Sequence, residues 1–473
     1  MNSKEIKYLT FEGGGGKCIA YLGAIKALEE KKILPLSHVN TVNFKTDDLD
    51  INIPQNNLFG ISGSSGGALI AFFLSMGLDF QEMESLFNEP FDKNSNQYIT
   101  FLDYPQSNLK GINFNVPRIL TTQTYRSVTQ MKVSKDGQIK YYYTSDFKDI
   151  QLEELSLLAE LFTNTTLIKK LTEDFKDEVG LIYKIIFNYF GKINTGIVPV
   201  GILLKTLIDQ RTQKLNDVIA KRFLLNLYSG RGIFVGGGIR AYLQNKLEKY
   251  LLTPANISRF KQIFKSSPNK ATLSFTQFFA LTGVNLIVTG TNITLNRPEY
   301  FSKDFTPDFP VAEAIAISMA LPPVFKPIFV IDINGNENLY VDGGMLNNFP
   351  IHAFDYYFGV DELAHYFDSL NIGKNSPLKP DVLGFRLTSG SSKILYQKYQ
   401  EGSRSGLITN HINDLLNTFM YPSEEGQIRN PQEKNQTIEL FTYNLKVSDF
   451  NPSQQDKDTP IEEAYKKTKE SIQ

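Results

Sequence analysis

Ser65 sits in Gly63-Ser64-Ser65-Gly66-Gly67, between a short apolar run that starts at Leu58 and a nearly all-apolar segment that runs to Met76. That spacing fits G-x-S-x-G, in which a serine nucleophile stands on a sharp bend between strand and helix, and small residues two before and two after let the chain turn without clashes. Ser62 and Ser64 fail the pattern, because Ser62 lacks a glycine two residues on and Ser64 lacks one two residues before. A Ser/Gly-rich turn without chemistry reads the same in isolation, so the other parts of an acyl-transfer site must decide.

A serine hydroxyl is a weak nucleophile until a base takes its proton. The chain has four histidines, His38, His352, His365 and His411. His38 precedes Ser65, so the order serine, acid, histidine draws only on the other three. His352 follows Asp342 within Pro350-Ile351-His352-Ala353-Phe354, where a structural role in capping or packing a helix competes with a catalytic one. Asp342 itself, in Asp342-Gly343-Gly344, is the alternative base: a carboxylate is weakly basic in water, but water exclusion raises its pKa toward usefulness. The same D-G-G also reads as a simple turn.

A third constellation is Glu12-Gly13-Gly14-Gly15-Gly16-Lys17-Cys18, set between a strand-like segment and a helix-like one. Free N–H groups at a helix start, with glycine allowing close approach, make a backbone anion site. A dinucleotide pyrophosphate calls for G-x-G-x-x-G, but the third glycine position is Cys18, and no second-strand acid stands where the ribose needs one. The other candidate anion is the oxyanion of an acyl-transfer intermediate, held by the N–H groups of Gly14 and Gly15. Close packing of helix on sheet is compatible with either.

The elements that must position these groups follow from periodicity. Ile6 to Phe11 alternates as a strand, and Ile19, Leu22, Ile25 and Leu28 recur at threes as a helix. Leu36 to Asn57 is polar and reads as a loop that delays the next strand. Lys132 to Tyr143 alternates about Asp136-Gly137, a hairpin signal, and Gln151 to about Gln213 reads mostly as helices. The most apolar part of that region, Gly180 to Ile208, suits either core-packing helices or an apolar lid that docks on membranes. Further on come a helix over Arg240 to Leu252, a segment over Ser274 to Ala280, a buried strand at Asn285 to Thr289 and a helix at Val311 to Met319. Val324 to Ile331 and Leu339 to Val341 flank Asn334-Gly335-Asn336 as a hairpin ending at Asp342, and Val382 to Leu387 is another strand. A strand-like IELFTYNLK and a charged helix from Pro460 close the chain.

Composition narrows the function classes. At 473 residues the chain is long enough for about two to four domains. Its 49 Lys and Arg against 50 Asp and Glu give a net charge of -1, with no steer toward nucleic acid, so any membrane contact is local and apolar. The single cysteine, Cys18, excludes an intramolecular disulfide framework. No apolar run of signal-peptide length opens the chain, and none reaches the ~20 residues that span a bilayer. The expectation is a cytoplasmic or peripheral-membrane protein, with signal-independent export left open. Histidines and cysteine show no metal-ligand spacing, so neither metal nor cofactor is expected.

Taken together, GGGGKC, GSSGG and DGG, in that order, resemble the three signatures of the patatin-like phospholipase family. SMALPPVFKPI before the DGG, the NLIVTGTNI strand and IELFTYNLKVSDFNPS near the C-terminus resemble family segments as well. The resemblance covers the first ~75 residues and Gly230 to Phe354, with weaker support beyond, and leaves Asn88 to Tyr228 unaligned. It implies an α/β fold, a three-layer α/β/α sandwich with a mostly parallel central sheet and a large, mainly helical insertion at about 88–228. It also implies a catalytic domain over residues 1–355 and, over 356–473, a strand and helix extension packed on it.

The family chemistry, carried over by motif, makes Ser65 the nucleophile and Asp342 its partner in a Ser-Asp dyad without a histidine. Gly13, Gly14, Gly15 and Gly16 form the oxyanion loop with Lys17 at the basic position after it, supported by Gly63, Gly67, Gly343 and Gly344. Cys18 departs from the family, which usually has glycine there. The implied activity is cleavage of fatty acyl esters of membrane or micellar glycerolipids, foremost as a phospholipase A or lysophospholipase, independent of calcium and open to a protein activator. Two rivals stand beside it: a patatin-like scaffold that docks on membranes or a partner without turnover, and a general carboxylesterase using Ser65, Asp342 and His352.

Overall fold

Short apolar runs bounded by glycine become buried strands, and longer apolar runs become the helices that cover them. The computed structural model describes residues 2–45, 49–88, 130–133, 139–142, 237–322, 325–331, 337–355, 381–388, 431–443, 445 and 454–473. In chain order these form β1 (Tyr8–Phe11), α1 (Tyr21–Glu30), β2 (His38–Lys45), β3 (Asp50–Asn56), β4 (Gly60–Gly63), α2 (Gly66–Ser75) and α3 (Phe80–Asn88). Next come β5 (Gln130–Val133), β6 (Ile139–Tyr142), α4 (Gly237–Lys246), α5 (Pro254–Phe264), α6 (Phe275–Thr282), β7 (Asn285–Asn292), β8 (Arg297–Phe301) and α7 (Val311–Ser318). β9 (Ile328–Ile331), β10 (Glu337–Asp342), β11 (Val382–Thr388), α8 (Pro431–Asn435), β12 (Thr437–Phe441) and α9 (Gln454–Ser471) complete them.

The result is a mixed α/β fold around a largely parallel central sheet. Among the described residues the strand order is β12-β11-β1-β4-β7-β10-β9-β5-β6, with β8 also on β7. From β12 to β7 neighbours run parallel, and β10 then pairs antiparallel with both β7 and β9. Alternation along each strand sorts side chains to two faces. Leu9, Phe11, Ile61, Leu286, Val288 and Phe385 join one core with α1, α2 and α7. Tyr8, Ile287 and Val382 point the other way, into a smaller cluster with Phe349, Ile351 and Phe354. α7 is buried along its whole length, including Glu313. Arg240 on α4 meets that carboxylate through two hydrogen bonds, 2.8 and 2.6 Å, which resolves an acid inside an apolar helix.

Residues 36–57 depart from the expected loop. They contain a separate two-stranded sheet, β2 against β3, in which Val42 faces Ile53 and Phe44 faces Ile51. These apolar pairs share one side of the hairpin, and Phe44 meets Phe279 of α6 edge-on at 5.1 Å. Polar residues on the other side and at the turn hid the alternation. The hairpin expected about Asp136-Gly137 forms as β5 and β6, and the helices expected over 151–213 lie outside the described residues. The helix expected from Pro460 begins earlier, at Gln454, and carries the buried ring of Pro460 within it. The segments after 355 that are described are built into the same body: β11 pairs β1, and α9 lies along α1, where Tyr465 and Lys469 both reach Glu30. Among the described residues no helix is long and apolar enough to cross a membrane.

Candidate active site

β4 ends at Gly63 and α2 starts at Gly66, leaving Ser64 and Ser65 to make the bend. Ser65 has φ 49° and ψ -124°, a positive-φ conformation outside the main allowed regions that a side chain adopts only where its surroundings enforce it. Two neighbours do so. Ser65 donates its N–H to Ser318 Oγ on α7 at 2.8 Å, and Ser64 donates its own to the Phe11 carbonyl at 3.3 Å. Gly67 permits the approach of α2 to β1, since a Cβ there would lie 2.3 Å from the Phe11 carbonyl oxygen.

β7 acts as the ruler that aligns this bend with Asp342. Its Val288 is paired with Gly63 and its Gly290 with Asp342, so the ends of β4 and β10 meet two residues apart on one strand. Ser65 Oγ then donates to Asp342 Oδ2 at 2.8 Å. Oδ1 of the same carboxylate accepts the Gly344 N–H at 2.7 Å, in the tight turn that Gly343 and Gly344 open. Asp342 is 1% exposed. Burial pushes its pKa from 3.8 up to about 7, with the Gly344 N–H and the Ser65 hydroxyl pulling the other way. A buried carboxyl poised near neutrality and bonded to a presented hydroxyl can accept that hydroxyl's proton.

The glycine loop lies against the bend. A Cβ on Gly13 would stand 3.0 Å from Ser65 Cβ, and one on Gly66 would stand 3.2 Å from Gly15 N. Gly14 caps a 3₁₀ turn, Gly15–Ala20, that leads into α1, and Gly15 has φ 53°. Gly16 and Lys17 are buried in that turn. Asn348 holds the loop from the Asp342 side: its carbonyl accepts the Gly13 N–H, and its Nδ2 donates to the Gly13 carbonyl, both at 3.0 Å. Lys17 N–H is likewise used, on the Gly14 carbonyl at 3.1 Å.

Below the loop, Glu12 accepts the Leu387 N–H at 2.6 Å and lies 3.8 Å from Arg386 Nε. Burial pushes Glu12 up to about 7 against the pull of Arg386 and Lys17. Cys18 is buried beside the loop, its sulfur 2.7 Å from where a Gly66 Cβ would be, and burial pushes its thiol well above the usual range.

His352 is committed elsewhere. Its Nδ1 pairs with Asp355 and its Nε2 with Glu433 on α8 at 3.1 Å. Burial lowers its pKa, but the two carboxylates outweigh burial and hold it at about 9. His38 stands on β2, and His365 and His411 lie outside the described residues. Ser318, Asn348 and Arg386 escaped the reading of the sequence for the site. Ser318 opens the family-like SMALPPVFKPI segment, and Arg386 puts a charge toward the end of the apolar VLGFRL strand, where it demands a buried partner.

The probable lipid hydrolase 463L of Invertebrate iridescent virus 6 is 34% identical over 159 residues, 34% of this chain and 47% of that protein. The uncharacterized protein R571 of Acanthamoeba polyphaga mimivirus is 35% identical over 71 residues, 15% of this chain and 22% of that one. The chain thus spans about half the length of the first of these relatives and less of the second. Among solved structures, VipD from Legionella pneumophila aligns with 99% of this chain and 66% of its own at 18% identity and TM-score 0.39. ExoU from Pseudomonas aeruginosa, solved in complex with SpcU, aligns with 99% of this chain and 52% of its own at 15% identity and TM-score 0.33. Patatin-like phospholipase is the family whose pattern matches residues 9–355, from β1 past the Asp342 turn, and the chain belongs to that family.

Proposed function

We propose that the chain is a serine lipid acyl hydrolase that cleaves fatty acyl esters of glycerolipids, as a phospholipase A or lysophospholipase, through a Ser65-Asp342 dyad. The observation that carries this reading is the 2.8 Å hydrogen bond from Ser65 Oγ to a buried carboxylate, made from a positive-φ bend beside the glycine loop.

Ser65 Oγ attacks the ester carbonyl carbon and passes its proton to Asp342. The carbonyl oxygen becomes the oxyanion and is received by N–H groups of the glycine loop, with Gly14 and Gly15 the donors of choice because Gly13 and Lys17 already spend theirs on Asn348 and Gly14. Collapse expels the alcohol oxygen, which takes the proton from Asp342, and leaves an acyl-Ser65. Water then attacks the acyl carbonyl, gives a proton to Asp342 and releases the fatty acid as Ser65 regains its hydrogen. The raised pKa of Asp342 supports its use as a base near neutral pH.

The test compares the purified chain with Ser65→Ala, first on a chromogenic short-chain ester and then on phospholipid and lysophospholipid vesicles, with and without EDTA. Hydrolysis by the parent alone, indifferent to EDTA, is the expected result. Equal rates from the two proteins would remove Ser65 from the mechanism. Absence of any rate from the parent would favour the membrane- or partner-docking scaffold.

A further inference from the structure

We propose that a cleft at the far end of α2 from Ser65 binds a single-chain anionic amphiphile through Arg259. The cleft is an open groove of about 540 Å³ between the β2-β3 hairpin, the end of α2, α5 and α6, a size suited to a small ligand. Ser75 and Met76 at the end of α2 line it, whereas Ser65 caps the start of that helix, ten residues and ~15 Å of rise away.

Its lining sets Arg259 among mixed walls, in which His38, Thr41, Asn56 and Thr282 stand beside apolar side chains. Arg259 faces it from α5, Met76, Leu251 and Leu281 supply apolar surface, and neither Asp nor Glu is among its lining residues. The Arg259 guanidinium donates to the Asn52 carbonyl oxygen at 3.3 Å, a neutral acceptor, and pairs with no carboxylate among the described residues. Burial lowers its pKa, as it must for a guanidinium partly withdrawn from water without a counter-charge. Ser75 Oγ is buried in the cleft wall and has no hydrogen-bond partner among the described residues. A guanidinium without a carboxylate partner, beside a cleft whose wall is apolar in part, matches an alkyl chain that ends in phosphate or carboxylate, whose head would supply the counter-charge. A neutral chain would leave Arg259 as it is, and a bare anion would leave the apolar wall uncovered.

Binding needs no turnover, so full-length Ser65→Ala is titrated by calorimetry with monomeric dodecyl phosphate, and dodecanol and inorganic phosphate serve as the two partial ligands. An Arg259-dependent equivalent of dodecyl phosphate is expected to bind, about tenfold or more weakly after Arg259→Gln and with a smaller loss after Arg259→Lys, which keeps the charge but not the planar fork. Each partial ligand is expected to bind at least about tenfold more weakly. Unchanged affinity in a folded Arg259→Gln protein, or inorganic phosphate binding as tightly as dodecyl phosphate, would overturn the proposal. A photoreactive alkyl phosphate mapped by mass spectrometry tests it without the Arg259 variant. Labels at Met76, Leu251 or Leu281 support the cleft, and labels confined to residues around Ser65 and Asp342 sink it.

Discussion

Ser65 and Asp342, 277 residues apart in the chain, share a hydrogen bond of 2.8 Å because both are hung from β7, one by way of β4 and the other by way of β10. In the proposed mechanism the carboxylate has to be ionised to take the hydroxyl proton, and burial pushes its pKa up to about 7. Activity on a soluble ester is therefore expected to rise with pH through about 7 and level off above it, as measured by kcat/KM across pH 5 to 9. Asp342→Asn should lower kcat by at least ~10³-fold and abolish that rise.

The same substitution should stabilise the protein at alkaline pH. Asp342 is raised above its unfolded value of 3.8, so its contribution to stability is fully present below that pH and is lost as pH rises through about 7. Asparagine carries no charge to bury. Thermal denaturation should show Asp342→Asn melting above the parent at pH 8.5, by an amount worth up to a few kcal/mol, with the gap closing toward pH 4. A lower melting temperature at pH 8.5 would contradict the burial argument.

Ser318 is a positioning residue for the bend, since its hydroxyl accepts the Ser65 N–H. Ser318→Ala should remove one buried hydrogen bond, about 1–2 kcal/mol of stability, and relax the positive-φ conformation of Ser65. The kinetic mark of this role is a fall of about tenfold in kcat with KM nearly unchanged. A loss of stability with kcat intact would leave Ser318 a packing residue only.

His352 separates the dyad from the carboxylesterase alternative. His352→Ala should leave kcat/KM within about twofold, because both ring nitrogens are held by Asp355 and Glu433. Its stabilising effect is fully present below the unfolded pKa of 6.5 and is lost as pH rises through about 9. The drop in melting temperature should accordingly be large at pH 6 and small at pH 10.

Arg240 and Glu313 are each 4% exposed in their side chains and bond at 2.6 Å. Removing one partner strands the other charge inside the protein. Arg240→Ala is expected to lose about 3–5 kcal/mol in denaturant unfolding, whereas replacing both with apolar residues of similar volume should recover much of that loss.

What the sequence made legible tracks how local each signal was. The bend at Ser65, the buried strand at 285–292 and the Asp342-Gly343-Gly344 turn are written in adjacent residues, and together they bring the central pair into view. The β2-β3 hairpin was missed because its apolar residues, Val42, Phe44, Ile51 and Ile53, all face one way while the polar turn dominates the composition. The roles of Ser318 and Asn348 could not be read, because their partners, Ser65 and Gly13, lie 253 and 335 residues away, and only the assembled sheet makes them neighbours.

The family match stops at residue 355, yet β11, from residue 382 onward, is hydrogen-bonded along the whole of β1. Anyone who truncates the protein where the family likeness ends would strip that flank and leave the strand leading into the glycine loop as a raw, unpaired border. Such a fragment should be prone to stick to itself, and its silence in an assay would say nothing about the chemistry of the intact chain.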